Sequence, residues 1–248
     1  MGAMGFNVAR ALRADFLTVG TFGEAFTGMR TYPEMPVRQI GGRWTDHFDR
    51  STIQEAGMPT IYQSSGTIGF TTGSPRGSSF RLTTGAVIGN DANNGTFALG
   101  IYRTENGISS VTATITALLG QTLDTEMFVG LFDRTTIQVG GIAALPTTER
   151  HAGFILDRSV SANWRRSTAD GTTQSVTTSS TAADTASHDF IITWTSGNVN
   201  FDVDTTDIGS NTANLPADTD ALGFLVFIQT EAAAAKTIDV DRVILQFA

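Results

Sequence analysis

Hydrophobic and polar positions alternate most clearly in "HDFIITWTSGNVNFDVDTTDIGSN", His188 to Asn211. Phe190, Ile192 and Trp194 alternate with Asp189, Ile191 and Thr193. Successive side chains of a strand point to opposite faces, so this spacing predicts a strand with one apolar face. Val199, Phe201 and Val203 alternate in the same way with Asn200, Asp202 and Asp204. Ser196-Gly197 supplies turn chemistry between the two runs. The reading is an antiparallel hairpin with six apolar side chains inward and Asp202 and Asp204 outward. The same alternation predicts solvent-facing Asp239 and Asp241 in "TIDVDRVILQF".

From Thr60 onward the chain repeats this texture. "SSFRLTTGAVI", "NGTFALGIYR", "ISSVTATIT", "EMFVGLFD", "ERHAGFILDR", "NWRRSTA", "TTQSVTT" and "ALGFLVFIQT" are rich in Val, Ile, Thr and Phe and alternate in part. Asn94-Gly95, Asn106-Gly107 and Asp170-Gly171 mark turns between runs. Many strands separated by short turns predict an all-β jelly-roll sandwich of two antiparallel sheets. No strand–helix–strand alternation argues for a parallel α/β fold. "TEAAAAK", Thr230 to Lys236, reads as a short helix crossing the rim, and Ser175–Ser187 as either a flexible loop or one more polar strand.

The texture changes near Gly57. Residues 1–56 read as an N-terminal arm and residues 57–248 as the sandwich domain. Phe6, Ala9, Leu12 and Phe16 fall at near-helical spacing, so the arm opens on a short amphipathic helix. Arg10, Arg13 and Asp15 break the apolar stretch and make it a poor signal peptide. Phe6 stands where a myristoylation motif prefers a hydroxyl residue. The rest of the arm has no sustained period but carries Phe22, Phe26, Tyr32, Trp44 and Phe48. So many aromatics are unusual in a disordered tail, so they are expected to dock on the domain or on a neighbouring subunit.

Composition narrows the partners. The 248 residues carry a net charge of −8, with a sequence pI near 4.8. Such a surface repels phosphate, and Arg165-Arg166 is the one adjacent basic pair, so nucleic acid is excluded as a partner. No apolar run approaches the ~20 residues of a membrane span, so no membrane is expected. Only 16% of residues are charged, a composition suited to packing against further copies, so a homo-oligomer is expected.

The segment His188–Asn211, with His188, Trp194, Phe201 and Asp204 in succession, resembles the back half of concanavalin A-like (laminin-G-like) jelly rolls. "EMFVGLFD" and "HAGFILDRSVSANWRRSTADG" resemble the strands before it, and "TIDVDRVILQF" the terminal strand. Thr205-Thr206 replaces the glycine that follows the aspartate in that pattern. The likeness covers roughly residues 80–248. With an arm in front, the succession is similar to modules in virion structural proteins of tailed viruses. That resemblance implies a non-enzymatic virion protein, capsid-decorating or tail-associated. It would be trimeric and would partner other virion proteins. The alternative is a glycan-binding module for host-surface recognition; a third reading is an unusual glycosidase.

Candidate chemistry is sparse. Retaining glucanases of this fold carry a Glu-x-Asp-x-x-Glu strand, and the glutamates here (Glu24, Glu34, Glu55, Glu105, Glu126, Glu149 and Glu231) are scattered. No catalytic residue is therefore assigned. His47, His151 and His188 have no metal-ligand spacing, and with no cysteine a zinc site is not expected. No cofactor is expected, with calcium as the lesser alternative. Asp91, Asn93 and Asn94 in "GNDANNG" offer it hard oxygen ligands. Trp164 with Arg165 and Arg166 is the best platform for a sugar ring, against the alternative that Trp164 packs inside.

Overall fold

The computed structural model describes residues 43–46, 60–62, 66–74, 77–101, 108–139 and 141–248. In chain order the strands are β1 (Arg43–Asp46), β2 (Thr60–Tyr62), β3 (Thr67–Ser74), β4 (Gly77–Thr83), β5 (Asp91–Ile101), β6 (Ser110–Leu119) and β7 (Thr125–Asp133). Helix α1 (Arg134–Val139) follows. The later strands are β8 (His151–Asp157), β9 (Asn163–Ala169), β10 (Gln174–Ala182), β11 (Ser187–Thr195), β12 (Asn198–Val203), β13 (Thr206–Asn211), β14 (Leu222–Thr230) and β15 (Thr237–Phe247). They form two antiparallel sheets packed as a sandwich. One runs β13-β12-β11-β6-β15-β4-β3, with β1 also paired to β15; the other runs β10-β9-β8-β7-β14-β5-β2.

The hairpin β11–β12 pairs Phe190 with Val203, Ile192 with Phe201 and Trp194 with Val199. All six side chains are buried, while Asp204 is exposed and Asp202 half-buried. They meet Phe154 and Trp164 from the facing sheet. The Phe154 ring lies 5.1 Å from Phe190 and 5.4 Å from Phe201, and the Trp164 ring 5.0 Å from Phe190. Tilted and edge-on contacts of this kind add to the area the rings bury.

A second apolar cluster lies on the other side of the seven-stranded sheet. Phe128, Phe132, Ile155, Leu225 and Phe227 pack there beneath Ile137 of α1 and Ile142 of the loop that follows. Strands β7, β8 and β14 are thus covered on both faces. This explains why "EMFVGLF", "HAGFIL" and "LGFLVFI" read as nearly unbroken apolar runs. Gly130 and Gly153 are cross-strand partners, and a Cβ on Gly153 would sit 2.4 Å from the Phe128 ring. The glycines leave the space that the ring occupies.

Several sequence expectations change. Asp239 and Asp241 are 7% and 4% exposed, not solvent-facing. A register shift between Val240 and Arg242 breaks the alternation. Asp239 is held by Arg81, whose Nε and Nη2 donate to its two oxygens at 2.6 and 2.5 Å. "TEAAAAK" forms bends, not a helix. One turn of alanines cannot nucleate a helix, and Thr230 Oγ1 instead donates to the Ala234 carbonyl at 2.7 Å. Ser175–Ala182 is the polar strand option, lying in β10. Four residues of the expected arm, including Trp44, form β1 and pair with β15 from Arg43↔Gln246 to Asp46↔Val243. Phe22, Phe26, Tyr32, Phe48 and the amphipathic start lie outside the described residues.

One end of the sandwich gathers five loops and the β12–β13 turn. Residues 84–90, 120–124, 158–162, 183–186 and 231–236 connect strand ends there and bond to one another or to neighbouring strand ends. Gly89 N donates to Thr230 O at 2.9 Å, and Glu231 N to Asp124 O at 2.9 Å. Arg158 N donates to Thr125 O at 3.3 Å, and Gln121 Nε2 to Ala235 O at 2.9 Å. Buried Lys236 donates from Nζ to Leu123 O at 2.8 Å.

Candidate functional site

Three acidic residues converge at this end. Glu126 is the second residue of β7, Asp157 the last of β8, and Glu231 follows the last residue of β14. Register brings them together: Glu126 pairs with Asp157 on one side and with Gln229 on the other. Met127 faces the core between the sheets, so Glu126 projects to the opposite side, the side of Phe128. One ligand oxygen from each of Glu126, Asp157 and Glu231 lies within 4.8 Å of the others, and all three residues are half-buried. Such a set of hard oxygens can hold a divalent cation.

The surroundings shift the protons. Burial pushes the Glu126 carboxyl up to about 7, and the neighbouring Glu231 and Asp157 charges push the same way. Protonated Glu126 donates a hydrogen bond to Glu231. Glu231 is itself raised, by burial first and then by Asp157 and Asp124. Asp157 is oriented by Ser159 Oγ, which donates to its Oδ1 at 2.7 Å, and by Arg165 Nη1 at 3.6 Å from its Oδ2. The arrangement is a proton-sharing carboxyl cluster with one oriented partner, a pattern that recurs where acid–base chemistry is done.

The sequence candidates fall elsewhere. Trp164 is 0% exposed and stacks edge-on against Phe190 and His188. Its ring faces are filled by the core and offer nothing to a sugar. Arg165 joins the cluster through Asp157. Arg166 instead clamps the two sheets, donating from Nε to Asn211 Oδ1 at 3.0 Å and from Nη1 to Ile208 O at 2.5 Å. Asp91, Asn93 and Asn94 are buried successive or alternate residues of a strand, not a loop. Adjacent Asn93 and Asn94 point to opposite faces, so the three do not converge on an ion. Asn93 Nδ2 donates to Ile142 O at 2.8 Å and fastens the loop after α1 to β5.

His47 lies outside the described residues. His188 bridges two loops, with Nδ1 2.9 Å from Asp204 and Nε2 2.9 Å from Asp184. Burial lowers its pKa, but the two carboxylates outweigh this and raise it. His151 is fully buried between Phe128 and Phe132. Its Nδ1 donates to Glu149 O at 2.6 Å, which leaves Nε2 to accept from Ser167 Oγ at 2.7 Å. Burial lowers the imidazole from 6.5 to about 4. The unfolded chain therefore takes this proton first as pH falls. Stability is present above pH 6.5 and is lost between 6.5 and 4, by about 3 kcal/mol at 1.36 kcal/mol per pH unit. Denaturant unfolding across that range should show the loss, and His151→Gln should flatten it.

No protein-family model matches the chain, and no curated protein sequence matches it. Solved structures share its fold. A Crh5 transglycosylase in complex with NAG superposes with a TM-score of 0.56 at 11% identity, covering 85% of this chain and 86% of that one. The endo-β-1,4-glucuronan lyase of the fungus Trichoderma reesei gives 0.53 at 12% identity, covering 85% and 96%. The β-glucanase of Bacillus licheniformis gives 0.52 at 8% identity, covering 85% and 99%. These neighbours correct the expectation drawn from sequence. The fold is similar to that of proteins named for chemistry on carbohydrates, so the virion-module resemblance, the non-enzymatic structural role and the virion location are set aside.

Proposed function

We propose that this chain is a carbohydrate-active enzyme that breaks glycosidic bonds in a polysaccharide, with Glu126 as general acid. The observation that carries the reading is the Glu126–Asp157–Glu231 cluster with a proton held on Glu126 near neutral pH. A carboxyl titrating at about 7 is well matched to giving a proton to a leaving-group oxygen. Asp157, aimed by Arg165 and Ser159, is the partner carboxylate. Glycosidases that retain configuration place their carboxyls about 5–5.5 Å apart, and those that invert roughly 6.5–9.5 Å apart. Oxygens within 4.8 Å of one another fall on the close side. The neighbours in fold support carbohydrate as the substrate class.

The test is product release from a panel of polysaccharides, followed by reducing-end detection across pH. A general acid must be protonated, so activity is expected to fall as pH rises through about 7. No new reducing or unsaturated ends from any polymer, at any pH, overturns the reading.

The cluster also favours a second reading, in which the three carboxylates hold calcium and the loop end is a glycan-binding surface. Calcium added at pH 8 should then raise folding stability by about 1 kcal/mol at roughly five times Kd. Chelator should reverse the rise. A Tm indifferent to both removes the ion.

A further inference from the structure

Four large hydrophobic side chains stand exposed among the described residues: Val87, Ile88, Leu123 and Val160, at 62–67%. None lies on a sheet face or at the opposite end of the sandwich. They sit on the loops 84–90, 120–124 and 158–162, which border the acidic cluster. The feet of these loops run from β5 across β14 and β7 to β8, three strand spacings or roughly 14 Å. A single exposed aliphatic residue means little, but four collected at one end mark a surface that is covered in use.

Charge decides what covers it. Glu126, Asp157 and Glu231 bring carboxyl oxygens within 4.8 Å of one another, and Asp124 adjoins them, its carbonyl accepting from Glu231 N at 2.9 Å. Of the nearby cations, Arg165 lies beside Asp157 and Lys236 is buried with Nζ on the Leu123 carbonyl, which leaves half-buried Arg158 against the four acids. An acidic polymer would bring its carboxylates against this field. An uncharged sugar chain offers hydroxyl donors to the carboxylates and C–H faces to the aliphatic tips.

We propose that the loop end is the polysaccharide-docking surface and that it selects uncharged chains over polyuronides, with Val87, Ile88, Leu123 and Val160 contacting the sugar rings on either side of the cluster. This deepens the proposed function and rests on it for the substrate class.

Binding is measured with Glu126→Gln, which does not consume substrate, and with chelator present so that no bridging cation contributes. The probes are soluble β-glucan, xylan and mannan on one side and polygalacturonate on the other. At least one uncharged polymer is expected to bind about tenfold tighter than polygalacturonate. Adding Leu123→Ser and Val160→Ser is expected to weaken that binding about tenfold, with Tm unchanged because both side chains are exposed. Polygalacturonate bound as tightly, binding unmoved by the two serines, or no polymer bound each overturns the surface. Product release by the wild type alongside unmoved binding would sink this surface and leave the enzyme reading standing. Tight, serine-sensitive binding without product would do the reverse.

Discussion

Glu126→Gln is expected to lower polysaccharide cleavage by about a hundredfold or more while making the protein more stable at pH 8. General-acid groups contribute roughly 10²–10⁴ in rate, and glutamine keeps the shape of glutamate without its proton. The stability gain follows from the raised pKa. The folded-state value of about 7 lies above the ordinary 4.5, so the folded protein holds this proton more tightly than the unfolded chain. Its stabilising effect is complete below pH 4.5 and is lost as pH rises towards 7. Because Glu126 is half-buried, solvent screening reduces that loss to about 1 kcal/mol. Glutamine has no such loss. Activity and stability moving in opposite directions distinguish a functional acid from a merely structural one. A variant that keeps full activity would mean another group delivers the proton.

The variant also separates two titrations that oppose each other. Between pH 4.5 and 6.5, rising pH costs stability at Glu126 and restores it at His151. The wild type should therefore show a shallower acid dependence than Glu126→Gln, where the opposing Glu126 contribution is gone.

The sandwich was legible wherever one face of a strand is buried and the other is wet. The β11–β12 hairpin shows this, because its period of two names the core residues outright. Legibility failed where that condition fails. Strands β7, β8 and β14 are buried on both faces, and their continuous runs say that they are central without saying what covers them. Helix α1 covers them, and "RTTIQV" reads as strand-like because its residues are largely β-branched. The signal that could have found it is Asp133, whose Oδ1 accepts from Thr136 N at 3.0 Å as a helix cap. Asp241 was misread because one extra residue in β15 shifts the alternation, and a bulge leaves no mark in a single sequence.

The acidic cluster was hidden for a different reason. Glu126, Asp157 and Glu231 are far apart in sequence, and each looks like an ordinary polar end of an apolar run. Their meeting depends on cross-strand register, fixed by pairing Glu126 with Asp157 and Gln229. A search for closely spaced carboxylates on one strand could not find carboxylates contributed by three. What was readable is weaker: "TEMFVGLF", "GFILD" and "FLVFIQTE" are the three most apolar runs, and each carries an acid at one end. If such runs are neighbours in a sheet, antiparallel order puts the first acid beside the other two.

Trp164→Ala is expected to cost about 3–5 kcal/mol of folding stability, the range for truncating a large buried aromatic. The ring is 0% exposed, packed edge-on 5.0 Å from Phe190 and 5.9 Å from His188. Sequence alone could not decide between this position and a sugar platform, since tryptophan suits both a core and a binding surface. Trp164→Phe refines the test. It shrinks the ring, but it also removes an indole N–H that has no hydrogen-bond partner among the described residues. An unmet buried donor costs about 1–3 kcal/mol, so its removal should offset much of the lost packing. The phenylalanine variant is therefore expected to lie much closer to wild type than the alanine one in urea or thermal unfolding. Glycan affinity should be unchanged by Trp164→Phe, because the ring never meets ligand. Normal unfolding of Trp164→Ala with lost glycan affinity would place the ring at the surface and overturn the packing of this end of the core.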